Sequence, residues 1–289
     1  MLTAERKKLL ASAVMALLAQ ALLFAPLPGW IRVGLFLLWA VFIPGHLFAE
    51  VVGRDFGASP TRLEWGIYAV ACGYALLLIL ILILRSMLGA LPGWSLHIGV
   101  DLLLLLLVVA AWPIAGEDAL LTLPLPRGEM AALMLIVALA ALPHLVSFGG
   151  DSTQLLHPVQ RAEALLTTAI SASLGGLTQQ IGHLPIALIT LVVARLTALA
   201  TFFWLGRRLV GAMFGPAVGA VIGLIATLLL AASGFSSGLA RIVPNQGIAL
   251  MMFAVALLIL VRLWQTPRGV GRGLTLAVIL LAAGLWAYA

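Results

Sequence analysis

Asp151 is the first residue of this sequence whose position favours chemistry. It follows Gly149-Gly150 just beyond an apolar segment, so its carboxylate is expected at a membrane surface, on a flexible stretch of backbone. A carboxylate held there can take the proton of a hydroxyl that attacks an activated sugar, which is the general-base role in sugar transfer. Asp151-Ser152-Thr153 is also good capping chemistry, so a helix N-cap or a turn is the structural alternative.

Arg195 is a cation near the middle of a long apolar segment. An unpaired charge at that depth is costly, so the side chain should face a partner or a hydrated cavity. A guanidinium there can hold a lipid-linked phosphate. The alternative is a structural pairing with a carbonyl or carboxylate group of a neighbouring helix.

The remaining polar residues of the apolar segments form weaker patterns. His97 and Asp101 are four residues apart on one predicted helix face, where they can pair with Arg85 or, alternatively, relay protons. No metal site is predicted, because no suitable spacing joins the remaining candidate ligands, which are His144, His157, His183 and the single cysteine, Cys72. The motifs of phosphate-binding loops, zinc proteases and c-type haem proteins do not occur.

The elements that carry these residues are apolar segments of membrane-spanning length. Of the 289 residues, 63% are hydrophobic and only 9% are charged, which excludes a water-soluble globule and makes membrane lipid the expected partner. The small net charge does not suggest nucleic-acid binding. We predict an all-α polytopic transmembrane bundle of about nine spans, at about 8–26, 30–51, 63–85, 96–115, 129–148, 184–206, 212–233, 243–263 and 271–289.

Basic residues predict the orientation of the bundle. With a cytoplasmic N-terminus, only four basic residues fall on the outer side, Arg32, Arg85, Arg161 and Arg241. Eleven fall on the inner side, namely Arg6, Lys7, Lys8, Arg54, Arg62, Arg127, Arg207, Arg208, Arg262, Arg268 and Arg272. This asymmetry favours the cytoplasmic N-terminus and places the one long connection, 148–185, on the outer face. A weak helical pattern there, ended by Gly175-Gly176, predicts a short juxtamembrane helix.

Two regions are distinguished along the chain. Residues 1–127 resemble a four-helix membrane module with little polar chemistry, and Leu27-Pro28-Gly29-Trp30 recurs in it as Leu91-Pro92-Gly93-Trp94. Each copy is expected to form a turn followed by an interfacial tryptophan.

In the second region, 128–289, the segment from Leu142 to Trp264 resembles the start of GT-C superfamily membrane glycosyltransferases, such as protein mannosyltransferases and aminoarabinose lipid A transferases. The resemblance lies in the order of Phe148-Gly149-Gly150-Asp151, a surface helix, His183-Leu184-Pro185, Ala194-Arg195-Leu196 and the stretch from Leu205 to Gly211. Family members usually continue through more spans, whereas this chain stops at Ala289 inside an apolar run, so this region is expected to be a truncated counterpart.

The resemblance implies a function and its residues. A sugar would pass from a polyprenyl phosphate donor to an acceptor on the outer face of a bacterial cytoplasmic membrane, with Asp151 as the catalytic base. Arg195, Arg161 and Arg241 are the candidate donor-phosphate or supporting cations, and His157 and His183 are candidate acceptor or loop contacts. No cofactor is specified, and a divalent metal is left open.

Two other functions are weighed against the transferase. The first is a non-catalytic membrane subunit or scaffold of a larger complex, because Gly211, Gly215, Gly219 and Gly223 recur at the four-residue spacing that suits close helix contact. The second is a transporter or flippase, for which only the Leu-Pro-Gly-Trp repeat hints at the required internal symmetry.

Overall fold

The computed structural model describes residues 4–53, 61–89, 92–113, 126–147, 184–232, 246–265 and 270–288, and these are almost entirely helical, without a β-strand among them. A π-helical turn, Leu38–Phe42, joins α2 to α3. The described residues form ten α-helices, namely α1 (Ala4–Leu23), α2 (Gly29–Leu37), α3 (Ile43–Gly53), α4 (Arg62–Leu88), α5 (Gly93–Ala111), α6 (Arg127–Ser147), α7 (Leu184–Phe214), α8 (Pro216–Ala232), α9 (Gln246–Gln265) and α10 (Val270–Tyr288).

The chain is a helical membrane protein. Within the described residues, five helical segments are long and apolar enough to cross a bilayer, at Gly29–Val52, Leu63–Leu88, Trp94–Ala111, Gly247–Gln265 and Val270–Ala287. A helix lies at each of the nine predicted spans, the second being the continuous run of α2, the π-helical turn and α3. The number of nine crossings stays a prediction.

The chain divides into two compact units. The first unit comprises residues 1–54, 68–121 and 164–190, and the second comprises 55–67, 122–163 and 191–289. The proposed division into regions 1–127 and 128–289 stays a prediction.

In the first unit, α3 and α4 cross with their backbones in contact. A Cβ atom added at Gly45 would overlap the carbonyl oxygen of Ala69, and one at Gly73 would overlap the carbonyl group of Val41. The π-helical turn ends two residues before Pro44, whose missing N–H cannot join the regular α-helical pattern. The turn is part of the crossing itself, because Val41 belongs to it.

Both Leu-Pro-Gly-Trp copies begin helices in the first unit. Pro28 and Pro92 are the N-cap residues of α2 and α5, with φ −52°, ψ 142° and φ −63°, ψ 140°. Trp30 and Trp94 follow in the first turns, 69% and 61% exposed. This geometry agrees with the predicted turn and exposed tryptophan.

The polar side chains of the first unit bind groups other than those we expected. Asp101 accepts a hydrogen bond from the Gln20 amide at 2.7 Å, so the partner is α1 and not Arg85. His97 stacks on Trp39, with ring centroids 5.0 Å apart. Arg32 is buried and donates through Nε to the carbonyl oxygen of Leu23 at 2.7 Å, which satisfies the C-terminal end of α1.

In the second unit, α7 and α8 form a tight helical hairpin. A Cβ atom at Gly219 would come within 2.5 Å of the Arg207 carbonyl oxygen, and one at Gly223 within 2.5 Å of the Phe203 carbonyl oxygen. Gly215, at φ 94°, forms the turn, and Pro216 begins α8. The glycine repeat therefore forms a contact within this chain, between α8 and α7.

The helix of the sixth predicted span continues beyond the predicted end of that span. The span is predicted to end near residue 206, whereas α7 ends at Phe214 and has 31 residues. Gly206 does not break the helix because it lies against the backbone of Gly223, where a side chain would not fit. Arg207 and Arg208 are consequently helical residues, about 10 Å before the hairpin turn.

Candidate functional site

A layer of charged side chains lies where several helices of the second unit begin or end. Its centre is Glu64, whose side chain is completely buried. One carboxylate oxygen contacts Nη2 of Arg208 at 2.9 Å, and the other contacts Nη1 of Arg262 at 3.5 Å. Arg262 is itself only 2% exposed, whereas the Arg208 side chain is 18% exposed. The carboxylate thus connects the start of α4 with α7 and α9.

The local sequence explains why Glu64 can point at the two arginines. Thr61 accepts a hydrogen bond from the Glu64 backbone N–H through its hydroxyl group at 3.2 Å, which caps the start of α4. In a capping box the Glu side chain would fold back onto the cap residue. Here its carboxylate binds the arginines of other helices instead.

Gln265, the last residue of α9, strengthens the contact between α9 and α7. Its amide nitrogen donates to the Arg208 carbonyl oxygen at 3.0 Å, and its amide oxygen accepts from Nη1 of Arg208 at 3.3 Å. The side chain and backbone of one arginine are therefore both held by the same glutamine.

A second ion pair connects α7 with the start of α6. Nε of Arg207 lies 2.8 Å from one oxygen of Glu129 without pointing at it, and Nη2 donates to the other oxygen at 3.3 Å. The guanidinium also lies over the Trp204 ring, 4.9 Å from its centroid. Arg207 and Glu129 are partly exposed, at 21% and 18%.

These contacts place three helix ends beside α7 at one level. Glu64 and Glu129 lie in the first turns of α4 and α6, and Gln265 ends α9, while the α7–α8 hairpin extends about 10 Å further. The three arginines exceed the two carboxylates by one positive charge. Such an arrangement can hold helices in register and attract an anion.

The predicted site residues are only partly within the described residues. Arg195 is a half-buried residue of α7. Asp151, His157, Arg161, His183 and Arg241 lie outside the described residues, as does the predicted juxtamembrane helix in the connection 148–185 up to the start of α7. Their roles stay predictions.

Sequence reasoning did not identify the charged layer. Arg262 was used only as a signal of orientation, Arg207 and Arg208 also as part of the Leu205–Gly211 stretch of the resemblance, and Glu64 was not given a role. A usable signal exists, because the chain has only ten acidic residues, and Glu64 and Glu129 are among those that begin apolar helices. A carboxylate at such a position needs a cationic partner, and arginines at other helix ends are the available ones.

Within the described part of the chain, no group of three or more His, Cys, Asp or Glu side chains comes together that could hold a metal ion. Comparisons of the sequence with protein-family models and with curated proteins, and of the fold with solved structures, found no match.

Proposed function

We propose that this chain is a membrane-embedded glycosyltransferase of the GT-C type, or the N-terminal part of one, in a bacterial cytoplasmic membrane. It transfers a sugar from a polyprenyl phosphate to an acceptor on the outer face, and Asp151 removes the proton of the attacking hydroxyl. The proposal rests on the sequence resemblance of residues 128–289.

The charged layer is the structural observation that supports the orientation in this proposal. Glu129 pairs with Arg207, so the start of α6 and the C-terminal part of α7 lie at one level. The connection 148–183 then joins the opposite ends of these two helices. An arginine-rich layer belongs on the cytoplasmic side, which leaves Asp151 on the outer side.

The position of Arg195 along α7 favours a supporting role for it. It lies eleven residues from Leu184 and twelve from Arg207, which is about 16 Å and 18 Å along a helix. This is near the middle of a hydrocarbon core about 30 Å thick. A phosphate at the outer surface lies beyond the reach of that side chain, so Arg195 supports the site through a pairing inside the helix bundle.

The test is sugar transfer in membranes that carry the chain, using a panel of radiolabelled polyprenyl phosphate sugars. Asp151→Asn should reduce transfer at least about a hundredfold, the usual contribution of a general base. Asp101→Asn is the matched control, because its side-chain oxygen can still accept from Gln20. It should retain transfer.

Two results would contradict the proposal. Full transfer by Asp151→Asn would exclude Asp151 as the base. No transfer by the unaltered chain, shown to be inserted and folded, would favour the non-catalytic membrane subunit.

A further inference from the structure

Among the described residues, the charged layer of the second unit contains three arginines and two carboxylates. Glu64 compensates one of its two arginine neighbours, and Glu129 compensates Arg207. Residues near these helix ends in the sequence do not restore the balance. In the stretches 54–64, 112–129, 207–208 and 262–272, eight arginines stand against five carboxylates, namely Arg54, Arg62, Arg127, Arg207, Arg208, Arg262, Arg268 and Arg272 against Asp55, Glu64, Glu117, Asp118 and Glu129.

The excess charge is accessible at one edge of the layer. Arg262 is almost fully buried, but the side chains of Arg207 and Arg208 are 21% and 18% exposed. Their guanidinium groups are oriented by Glu129, Glu64 and Gln265, so they are held in place before any ligand arrives. Arginine forks of this kind suit the oxygens of a phosphate group.

The surface beside this edge is apolar in the direction of the membrane interior. Gly206 lies against Ile222 and Gly223, so Ile222 is at the level of Arg207. Beyond it along α8, Ile225 and Leu229 are 50% and 64% exposed. On α9, at the level of Gln265, Trp264 is 74% exposed. A phosphate held by the arginines would therefore have an apolar path beside it for acyl chains.

We infer that Arg207 and Arg208 form a binding site for the phosphate group of an anionic membrane lipid, whose acyl chains lie along the exposed face of α8. The site is separate from Asp151, and it is independent of the proposed transferase activity. Basic sites between membrane helices are suited to such headgroups because low dielectric surroundings strengthen the attraction.

The experiment uses the full chain purified in a mild non-ionic detergent. Phosphatidylglycerol, phosphatidylcholine with the same acyl chains, and soluble glycerol 3-phosphate are added separately, and lipid retention is measured by native mass spectrometry with the thermal unfolding midpoint alongside. Phosphatidylglycerol should bind and raise the thermal unfolding midpoint, whereas phosphatidylcholine and glycerol 3-phosphate should do neither. Arg208→Gln should weaken its binding about fivefold.

Two further variants keep the test decisive. Arg207→Gln leaves the Glu64 contacts intact, so it reports on the site even if Arg208→Gln does not fold, and it too should weaken binding about fivefold. Arg207→Lys keeps the charge without the guanidinium fork, so its binding should lie between that of the unaltered chain and that of Arg207→Gln. Arg85→Gln is the matched control, since this exposed arginine lies 21 residues from Glu64 on α4, about 32 Å away.

The inference is overturned by any of three results. The first is that phosphatidylcholine binds as well as phosphatidylglycerol. The second is that Arg85→Gln weakens binding as much as Arg207→Gln and Arg208→Gln do. The third is that glycerol 3-phosphate binds as tightly as the lipid. The last result would identify a site for a soluble anion.

Discussion

Glu64 is the buried carboxylate on which three helices of the second unit depend. Its two oxygens contact arginines of α7 and α9, and its own helix begins three residues earlier at a threonine cap. No local sequence pattern predicts the contact between Glu64 and Arg262, because Arg262 lies 198 residues further along the chain. The sequence indicates that a charge in an apolar helix needs a partner, but the choice of partner depends on which helix ends meet.

Replacing Glu64 by Gln should destabilise the fold strongly. The substitution leaves two guanidinium groups without their carboxylate, and loss of one partner from a buried ion pair typically lowers the free energy of unfolding by about 3 to 5 kcal/mol. The measurement is reversible unfolding in mixed detergent micelles.

The matched control for this prediction is Glu50→Gln. Glu50 lies 3.5 Å from His46 in α3, but both side chains are at least 25% exposed, so its loss should lower the free energy of unfolding by less than about 1 kcal/mol. Equal decreases in the free energy of unfolding for Glu64→Gln and Glu50→Gln would mean that the buried ion pairs of the layer contribute no more to stability than an exposed pair.

At the scale of the helices, hydrophobic segments were the reliable part of the prediction. Among the described helices, long apolar runs located the ends to within a few residues except at the end of α7, because a membrane helix needs about 20 apolar residues whatever it packs against. The end of α7 was missed because Gly206 and two arginines look like a helix terminus in sequence. Its continuation depends on α8, which supplies the matching glycine, and on the carboxylates of α4 and α6.

Gly223→Ala should open the α7–α8 hairpin. The new Cβ atom would lie 2.5 Å from the Phe203 carbonyl oxygen, so the helices must separate, and we expect the free energy of unfolding to fall by about 1 to 3 kcal/mol. Gly66→Ala, a helical glycine of α4 with open space around it, should leave stability unchanged or raise it by up to about 1 kcal/mol. If Gly223→Ala and Gly66→Ala changed the free energy of unfolding by the same amount in the same direction, the close contact between α7 and α8 would be contradicted.

At the scale of the whole molecule, the described contacts constrain which helix ends share a side of the membrane. The starts of α4 and α6 and the end of α9 meet α7 in the charged layer, and α10 begins a few residues after α9 ends. Alternating spans deduced from hydropathy and basic residues require the same grouping. Hydropathy and basic residues do not predict the catalytic roles of the candidate site residues, because these roles depend on contacts with the connection 148–183.

Cysteine labelling should report this sidedness. Gly128→Cys and Gly271→Cys, both exposed, should react with an impermeant maleimide from the cytoplasmic side, and Ser86→Cys, near the other end of α4, from the opposite side. The single native cysteine, Cys72, is buried in α4 and should give little background. Labelling of all three positions from one side would contradict the topology.

The backbone contact between α3 and α4 has a consequence for how this sequence can change over generations. Gly45 and Gly73 each occupy a space that no other side chain can enter, whereas Gly34 and Gly66, of α2 and α4, have open space around them. Chance mutation strikes all four codons alike, but selection should remove the changes at 45 and 73 and tolerate those at 34 and 66. Among descendants of this chain, Gly45 and Gly73 should therefore be retained, whereas the residues at positions 34 and 66 should vary.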